Sequence, residues 1–310
     1  MMTPTSISDT AEFPQPQAAL FGPVVPPPAV KVDVAARSHT GLVRPNNEDI
    51  YMVVRYGRFW QTMMTNLPEG DAPERVTNDG YGFLVADGVG GHAAGEVASR
   101  LATGTLIQLA LAVPDWILLP PDGEEWERVR ERAGEIYRQI DATLRTESRE
   151  HPELAGMGTT MTIARNVGRN LIVSHVGDSR AYRLRGNDFR QLTRDHTIAQ
   201  ELADARGISP GDVVKHIFRH ALTRALGGKV SWAGVDVQKF GLEDGDQVLV
   251  CSDGLTEMVP AGAIAGVLRE APTADAACDR LIQQALDAGG RDNVSVVLAR
   301  YQIAADPSTR

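Results

Sequence analysis

Acids recur at the ends of apolar runs in this chain. "YGFLVADG" closes on Asp87-Gly88, "LIVSHVGDS" on Gly177-Asp178-Ser179, and "QVLVCSDG" on Asp253-Gly254. "GGRDNVSVV" sets Asp292 just ahead of such a run, and "NNEDIYMVV" sets Glu48 and Asp49 ahead of another. One Asp-Gly after a strand is ordinarily a turn, but the same placement repeated along one chain points to a shared rim. Acids gathered at a rim repel one another and raise each other's pKa values. Hard divalent cations reverse that penalty, because Mg2+ and Mn2+ prefer oxygen ligands in near-octahedral geometry and keep several waters. Beyond Asp87, "VADGVGGHAAGE" supplies Gly88, Gly90, Gly91 and Gly95. Glycine there lets a backbone carbonyl turn toward an ion and lets a phosphate approach the chain.

Competing chemistries lack their motifs. The glycines after Asp87 do not make a dinucleotide loop, which starts on glycine inside a βαβ unit and needs an acid about 20 residues later. No Walker A sequence and no Gly-x-Ser-x-Gly elbow occurs. Cys251 lies inside an apolar strand and Cys278 on a helix, so both read as core.

The elements that must hold these acids are short. Runs at about 31–37, 50–55, 81–86, 160–165, 170–176, 181–185, 247–251 and 294–301 read as strands bounded by turn residues. Helical patterns fit 92–112, 124–149, 197–205, 260–269 and 273–288. In the last, Ala277, Leu281, Ile282, Ala285 and Leu286 form one stripe that Gly289-Gly290 stops. Strands in adjacent groups with helices between them predict an α+β fold with largely antiparallel sheets. Residues 56–80 read as a long connection between strands, and 113–127 as a second insertion; both fit surface elaboration.

Residues 1–30, rich in Pro, Ala, Ser and Thr, read as a disordered tail, 31–303 as one domain, and 304–310 as a short C-terminal tail. The net charge of −9 and the lack of a Lys/Arg run argue against nucleic acid. Two cysteines exclude a disulfide framework and fit a reducing compartment. With no apolar run of membrane-spanning length and no secretory leader pattern, the expectation is a cytoplasmic monomer.

The blocks "GLVRPNNED", "ADGVGGHAAGE", "GMGTTMT", "HVGDSRAY", "LTRDHT", "LTRALGG", "CSDGL" and "GGRDNVSVV" follow in that order from residue 41 to 297. This set resembles the metal-dependent, protein phosphatase 2C-like Ser/Thr phosphatases in their bacterial form, over nearly all of the chain after residue 30. The resemblance implies two packed antiparallel β-sheets flanked by helix pairs, a four-layer sandwich. It implies that Asp87 bridges two Mg2+ or Mn2+ ions and that Asp253 and Asp292 complete the first ion's protein ligands. The Gly88 carbonyl binds the second ion, with Glu48 and Asp49 holding it directly or through water. Asp178 with Asp253 forms a weaker third site, Asn293 supports the ligands from behind, and Arg44 grips the substrate phosphate. The implied reaction is hydrolysis of phosphoserine and phosphothreonine by direct attack of a hydroxide bridging the two ions, reversing a bacterial Ser/Thr kinase. The implied partner is accordingly a phosphorylated protein, either that kinase or one of its targets.

The chain departs from the pattern at Val89, where eukaryotic relatives carry a His proposed as general acid. His92 instead begins a helix, leaving metal-bound water as the proton source. Residues 197–222 match the family's flap beside the site, polar and carrying Gly207 and Gly211; His196, His216 and His220 read as flap surface or structural groups. Two other readings remain at this point: a catalytically silent phosphoprotein-binding module and an Mg2+-dependent nucleotide hydrolase.

Overall fold

Strand after strand in this chain is buried on both faces, and a layered sandwich follows from that. In β11 (Gln247–Cys251) Val248 and Val250 enter one apolar cluster while Leu249 and Cys251 enter another. In β12 (Val294–Ile303) Val297, Ala299 and Tyr301 face the first cluster and Val294, Val296 and Leu298 the second. Side chains alternate across a strand with period two, so a continuous apolar run needs packing partners on both sides. The computed structural model describes residues 30–64, 75–90, 93–112, 123–206, 218, 220–229 and 234–304.

Two antiparallel sheets supply the inner layers. The first runs β1 (Val30–His39), β12, β11, β7 (Arg180–Arg185), β8 (Asp188–Gln191). The second runs β10 (Asp236–Gly241), β6 (Asn170–Val176), β5 (Met161–Val167), β3 (Arg75–Val89), β4 (Gly158–Thr159), β9 (Leu226–Gly227), with β2 (Asp49–Gln61) also paired to β3. Phe83, Val85, Ala164, Val173, Val250 and Tyr301 pack between the sheets. Helices α1 (Ala93–Ala112) and α2 (Glu124–Glu150) cover the second sheet, and α5 (Ala261–Glu270) and α6 (Ala274–Asp287) the first. Helix α2 presents Val129, Ala133, Ile136, Tyr137, Ile140 and Leu144 as a fully buried stripe at helical spacing. Helix α6 buries Ala277, Leu281, Ile282 and Ala285, and Thr273 caps it by accepting from the Ala276 N–H. The predicted α+β sandwich is therefore present with both helix pairs. Two further helices, α3 (Ile198–Arg206) and the single turn α4 (Asp253–Thr256), flank the functional edge.

The structure corrects the sequence in two places. Residues 56–80 are not a plain connection: β2 and β3 pair continuously from Asp49↔Asp87 to Gln61↔Arg75. Gly57, Asn78, Asp79 and Gly80 read as turn residues, yet they sit within a long two-stranded ribbon. The strands β8, β9 and β10 are not predicted: β9 is two residues long, and β8 and β10 are polar edge strands, so none carries an apolar signal. The expected tail up to residue 29, the middle of the 56–80 stretch, most of the 113–127 insertion, His92, His216 and residues 305–310 lie outside the described residues. Among the described residues no helix is long and apolar enough to cross a membrane.

Candidate active site

The acids meet where the two sheets end together. Phe83 and Val85 point between the sheets, so the period of two puts Asp87 on that same side of β3, directly across from Asp49. The strand does not stop at Asp87 as the sequence suggests. Gly88 and Val89 continue it by pairing with Thr159 and Gly158 of β4. Asp178 occupies the turn through which the chain leaves β6 for β7 and so changes sheets. Arg44 and Glu48 lie on another crossing, from β1 to β2. Asp253 opens the helical turn after β11, and Asp292 stands two residues before β12. Arg44, Glu48, Asp87, Gly88, Asp178, Asp253, Asp292 and Asn293 all line one cavity of about 790 Å3.

Small polar side chains fix these groups. The Asp87 N–H donates to Thr160 Oγ1 at 3.0 Å, and the Asp87 carbonyl accepts from Thr159 Oγ1 at 2.9 Å and from the Thr160 N–H at 2.8 Å. Asn293 Oδ1 accepts from the Glu48 N–H at 2.8 Å while its Nδ2 donates to the Thr40 and Asn46 carbonyls, each at 2.8 Å. One amide thus pins the whole crossing loop that carries Arg44 and Glu48. Ser99 Oγ donates to the Glu48 carbonyl at 2.7 Å. Asp49 stands behind the cavity, buried, with Oδ2 accepting from Ser252 Oγ at 2.7 Å.

Burial and mutual repulsion set the electrostatics of the rim. Burial first, then the Asp49 and Asp253 charges, push the Asp87 carboxyl well above the ordinary carboxylate range. Asp178 is raised in the same way by burial and then by Asp253. Asp253 is pushed up to about 6 by burial, then by Glu257 and Asp292. Asp49 is pushed up to about 7, chiefly by burial.

A pair of hard cations fits this arrangement. The donors are all oxygens, and Asp49 Oδ1 is buried without a hydrogen-bond partner. Glycine is required around the Gly88 carbonyl. A Cβ on Gly88 would lie 2.2 Å from the Gly95 carbonyl oxygen, and one on Gly95 would lie 2.0 Å from Glu48 Oε2 and 2.9 Å from the Gly88 oxygen. The opening glycines of α1 therefore let the helix sit close enough to leave Glu48 and the Gly88 carbonyl facing the same space.

Arg44 Nη2 donates to Asp292 Oδ2 at 2.6 Å, which raises the guanidinium pKa further, so the arginine is tethered at the rim. His220, read from the sequence as a flap surface or structural group, is exposed and lies 2.7 Å from Glu257. It lines the cavity, and its ring, an Asp253 oxygen and a Glu257 oxygen lie within 4.8 Å of one another. Ser252, Ser99 and Glu257 were not singled out from the sequence. Only their closeness to Asp253 or to the glycine-rich block could have drawn attention to them.

Comparison with known proteins agrees with this geometry. The protein phosphatase 2C family model matches residues 51–294. A serine/threonine phosphatase stp of Listeria welshimeri is 38% identical over 222 residues, covering 71% of this chain and 84% of that protein. The serine/threonine protein phosphatase PstP of Mycobacterium tuberculosis is 35% identical over 273 residues, 86% of this chain but 44% of PstP. The crystal structure of a PstP catalytic domain in complex with two manganese ions covers 88% of this chain and all of that one, at 32% identity and a TM-score of 0.67. With the matched stretch running from β2 to the start of β12 and enclosing nearly every cavity acid, the chain belongs to the protein phosphatase 2C family.

Proposed function

We propose that this chain removes phosphate from phosphoserine and phosphothreonine in proteins with the help of two Mg2+ or Mn2+ ions. The observation that carries the reading is the meeting of Asp87, Asp253 and Asp292, from two sheets, at one cavity with Arg44 on its rim. Family membership supports the reaction, and the manganese-bound relative supports the cofactor. We assign Asp87 to both ions and Asp253 and Asp292 to the first. The Gly88 carbonyl, Glu48 and, from behind, Asp49 belong to the second; Asp178 with Asp253 takes a weaker third. When bound, such ions acidify a solvent molecule near neutral pH and offset charge on the phosphoryl oxygens.

The chain's own residues do the rest. Arg44 presents a planar fork that suits two phosphoryl oxygens at once. It is already held at the rim by Asp292, beside the cavity that Asp87 and Asp253 line. Asn293, by pinning the crossing loop, keeps Arg44 and Glu48 in register with Asp87. Val89 lies on the cavity wall and carries no proton to give, so the departing serine or threonine oxygen takes its proton from solvent. The substrates are phosphoproteins, and we assign them to a Ser/Thr kinase or its targets, met by a monomeric cytoplasmic enzyme.

The test is phosphate release from a phosphothreonine peptide, para-nitrophenyl phosphate and ATP, each with Mn2+ and with EDTA. The reading expects Mn2+-dependent release from the peptide and the aryl phosphate, not from ATP. Release that ignores the chelator, or that favours ATP, overturns it.

A further inference from the structure

Two consecutive residues outside the cavity, Asp195 and His196, grip both sides of the turn that carries Asp178. On one side Arg180, the first residue of β7, donates Nε to Asp195 Oδ1 at 2.9 Å and Nη2 to Oδ2 at 2.5 Å. On the other side the Gly177 N–H donates to His196 Nδ1 at 3.1 Å, and the His196 N–H donates back to the Gly177 carbonyl at 2.7 Å. Between the grips Ser179 Oγ lies 2.7 Å from Thr160 Oγ1, the same hydroxyl that accepts from the Asp87 N–H. Gly177 has φ of 113° and leaves no space for a side chain, since a Cβ would lie 2.5 Å from the Thr160 side chain. The turn is thus seated on the strand pair that holds Asp87 and is fastened from the far side by residues 195 and 196.

The His196 ring is itself fixed. Because Nδ1 accepts from Gly177, the ring proton sits on Nε2, which points at Asp236 Oδ2 at 3.1 Å. Arg224 holds the other oxygen of Asp236 at 2.9 Å. The ring is 3% exposed and lies 4.8 Å, centroid to centroid, from that of His175. A histidine so enclosed, satisfied at both nitrogens and not lining the cavity, has one local effect: it sets where Gly177, and so Asp178, stands.

His196 is also the point from which the cavity wall departs and to which it returns. Thr197 bridges to Leu222, the Ile198 N–H donates to the Ala221 carbonyl at 2.9 Å, and the Thr223 N–H donates to the His196 carbonyl at 2.8 Å. Leu222 and His220 line the cavity beside Asp178. The backbone of His196 therefore closes the base of this wall while its ring holds the Asp178 turn.

We infer that His196 is a positioning residue for Asp178, joining the carboxylate of the weak third cation site to the wall formed at Thr197 and Leu222. This rests on the assignment of Asp178 and Asp253 to that site. Groups that orient a ligand without touching the ion typically change metal affinity about 10- to 100-fold when removed. His196→Ala and His196→Gln both take the acceptor away from the Gly177 N–H. His196→Asn keeps an acceptor oxygen near the Nδ1 position and loses only the reach to Asp236.

The experiment is Mn2+ binding to the whole chain, followed by the electron paramagnetic resonance of free Mn2+ without substrate and joined to thermal melts of each variant. The wild type is expected to show two tighter ions and one weaker. In the Ala and Gln variants the weaker class moves at least about 10-fold while the tighter pair is unchanged. In the Asn variant the weaker class stays within about threefold of wild type, well below that range. In turnover, kcat at limiting Mn2+ falls for Ala and Gln, KM for para-nitrophenyl phosphate holds, and excess Mn2+ restores the rate. Should the Ala variant fail to fold, the Gln and Asn pair decides. Three variants that bind like wild type, or an Asn variant as weak as Gln, overturn the inference. A wild-type protein that binds no Mn2+ overturns the phosphatase reading instead.

Discussion

Removing the ions should make this protein less stable as pH rises, the opposite of the usual behaviour of buried paired acids. The carboxyl groups at the cavity have folded-state pKa values above their unfolded ones. Asp253 goes from an ordinary 3.8 to about 6 and Asp49 from 3.8 to about 7, with burial the first cause in both. A raised carboxyl contributes stability that is fully present below the unfolded pKa and is lost as pH climbs through the folded one. The window is therefore about pH 4 to 7. Asp253 alone, shifted by roughly two units at 1.36 kcal/mol each, corresponds to about 3 kcal/mol. About half of that, roughly 1.4 kcal/mol, falls between pH 5 and pH 8, which for a domain of this size lowers Tm by roughly 3–6 °C. Mn2+ acts against the same term, since an ion at 100 times its Kd adds about 2.7 kcal/mol. The assay is thermal denaturation at pH 5, 6, 7 and 8, in EDTA and in Mn2+. In EDTA the Tm falls along the series; in Mn2+ it is flat or rising over the same range. Asp87→Asn removes one charge from the rim, so its EDTA profile flattens and Mn2+ no longer raises it. A chelated wild-type protein as stable at pH 8 as at pH 5 would falsify the claim that these acids are confined together without a counter-charge.

Asp87→Asn and Asp253→Asn should each abolish phosphate release while leaving the far-ultraviolet circular dichroism unchanged; near-normal turnover in either breaks the two-ion assignment. Arg44→Ala should raise KM for a phosphopeptide more than it lowers kcat. The expected loss in kcat/KM is about 10- to 100-fold, matching about 1.5–3 kcal/mol for a hydrogen bond to a charged group, and an unchanged KM removes Arg44 from phosphate binding. Gly95→Ala gains helix propensity of about 1 kcal/mol but drives a methyl group into Glu48 Oε2. Its melt in EDTA should stay close to wild type while the stabilisation by Mn2+ shrinks. Phe83→Ala, which empties a fully buried site between the sheets, should cost about 3–5 kcal/mol with no direct effect on metal binding.

What could be read from the sequence was whatever local patterning encodes. β6 and β11 begin and end where the apolar runs do, and α1, α2, α5 and α6 fall within a residue or two of the predicted spans. The acids were visible because each abuts such a run. Features set by partners far along the chain were not visible. The Ser252 hydroxyl that ties one Asp49 oxygen is 203 residues away, and the Asp292 carboxylate on which Arg44 rests is 248 residues away. The ribbon of β2 and β3 went unseen because its outer half, where Gly57, Asn78, Asp79 and Gly80 sit, has the composition of a turn, while its backbone pairing is supplied strand to strand.

The position of the acids follows from the fold's own constraint. A strand buried on both faces has no place for a carboxylate along its length, so charge is confined to the last residues of strands and to the connections that change sheets. In this sandwich Asp253 and Asp292 stand at strand ends of the first sheet, Asp87 near a strand end of the second, and Glu48 and Asp178 on two of the crossings between them. The β1–β2 and β6–β7 crossings lie at the same edge, whereas the β10–β11 crossing lies at the opposite one, so the acids collect where the first two leave and enter the sheets. Proximity is thus imposed by topology, and the repulsion it creates is the driving force for taking up ions. A protein that placed the same acids on separate surface loops could keep each one solvated and would bind no ion tightly. Here neither the acids nor the crossings can relax away without undoing the apolar clusters on either side of the sheets, so the fold holds the acids together and bound cations offset their repulsion.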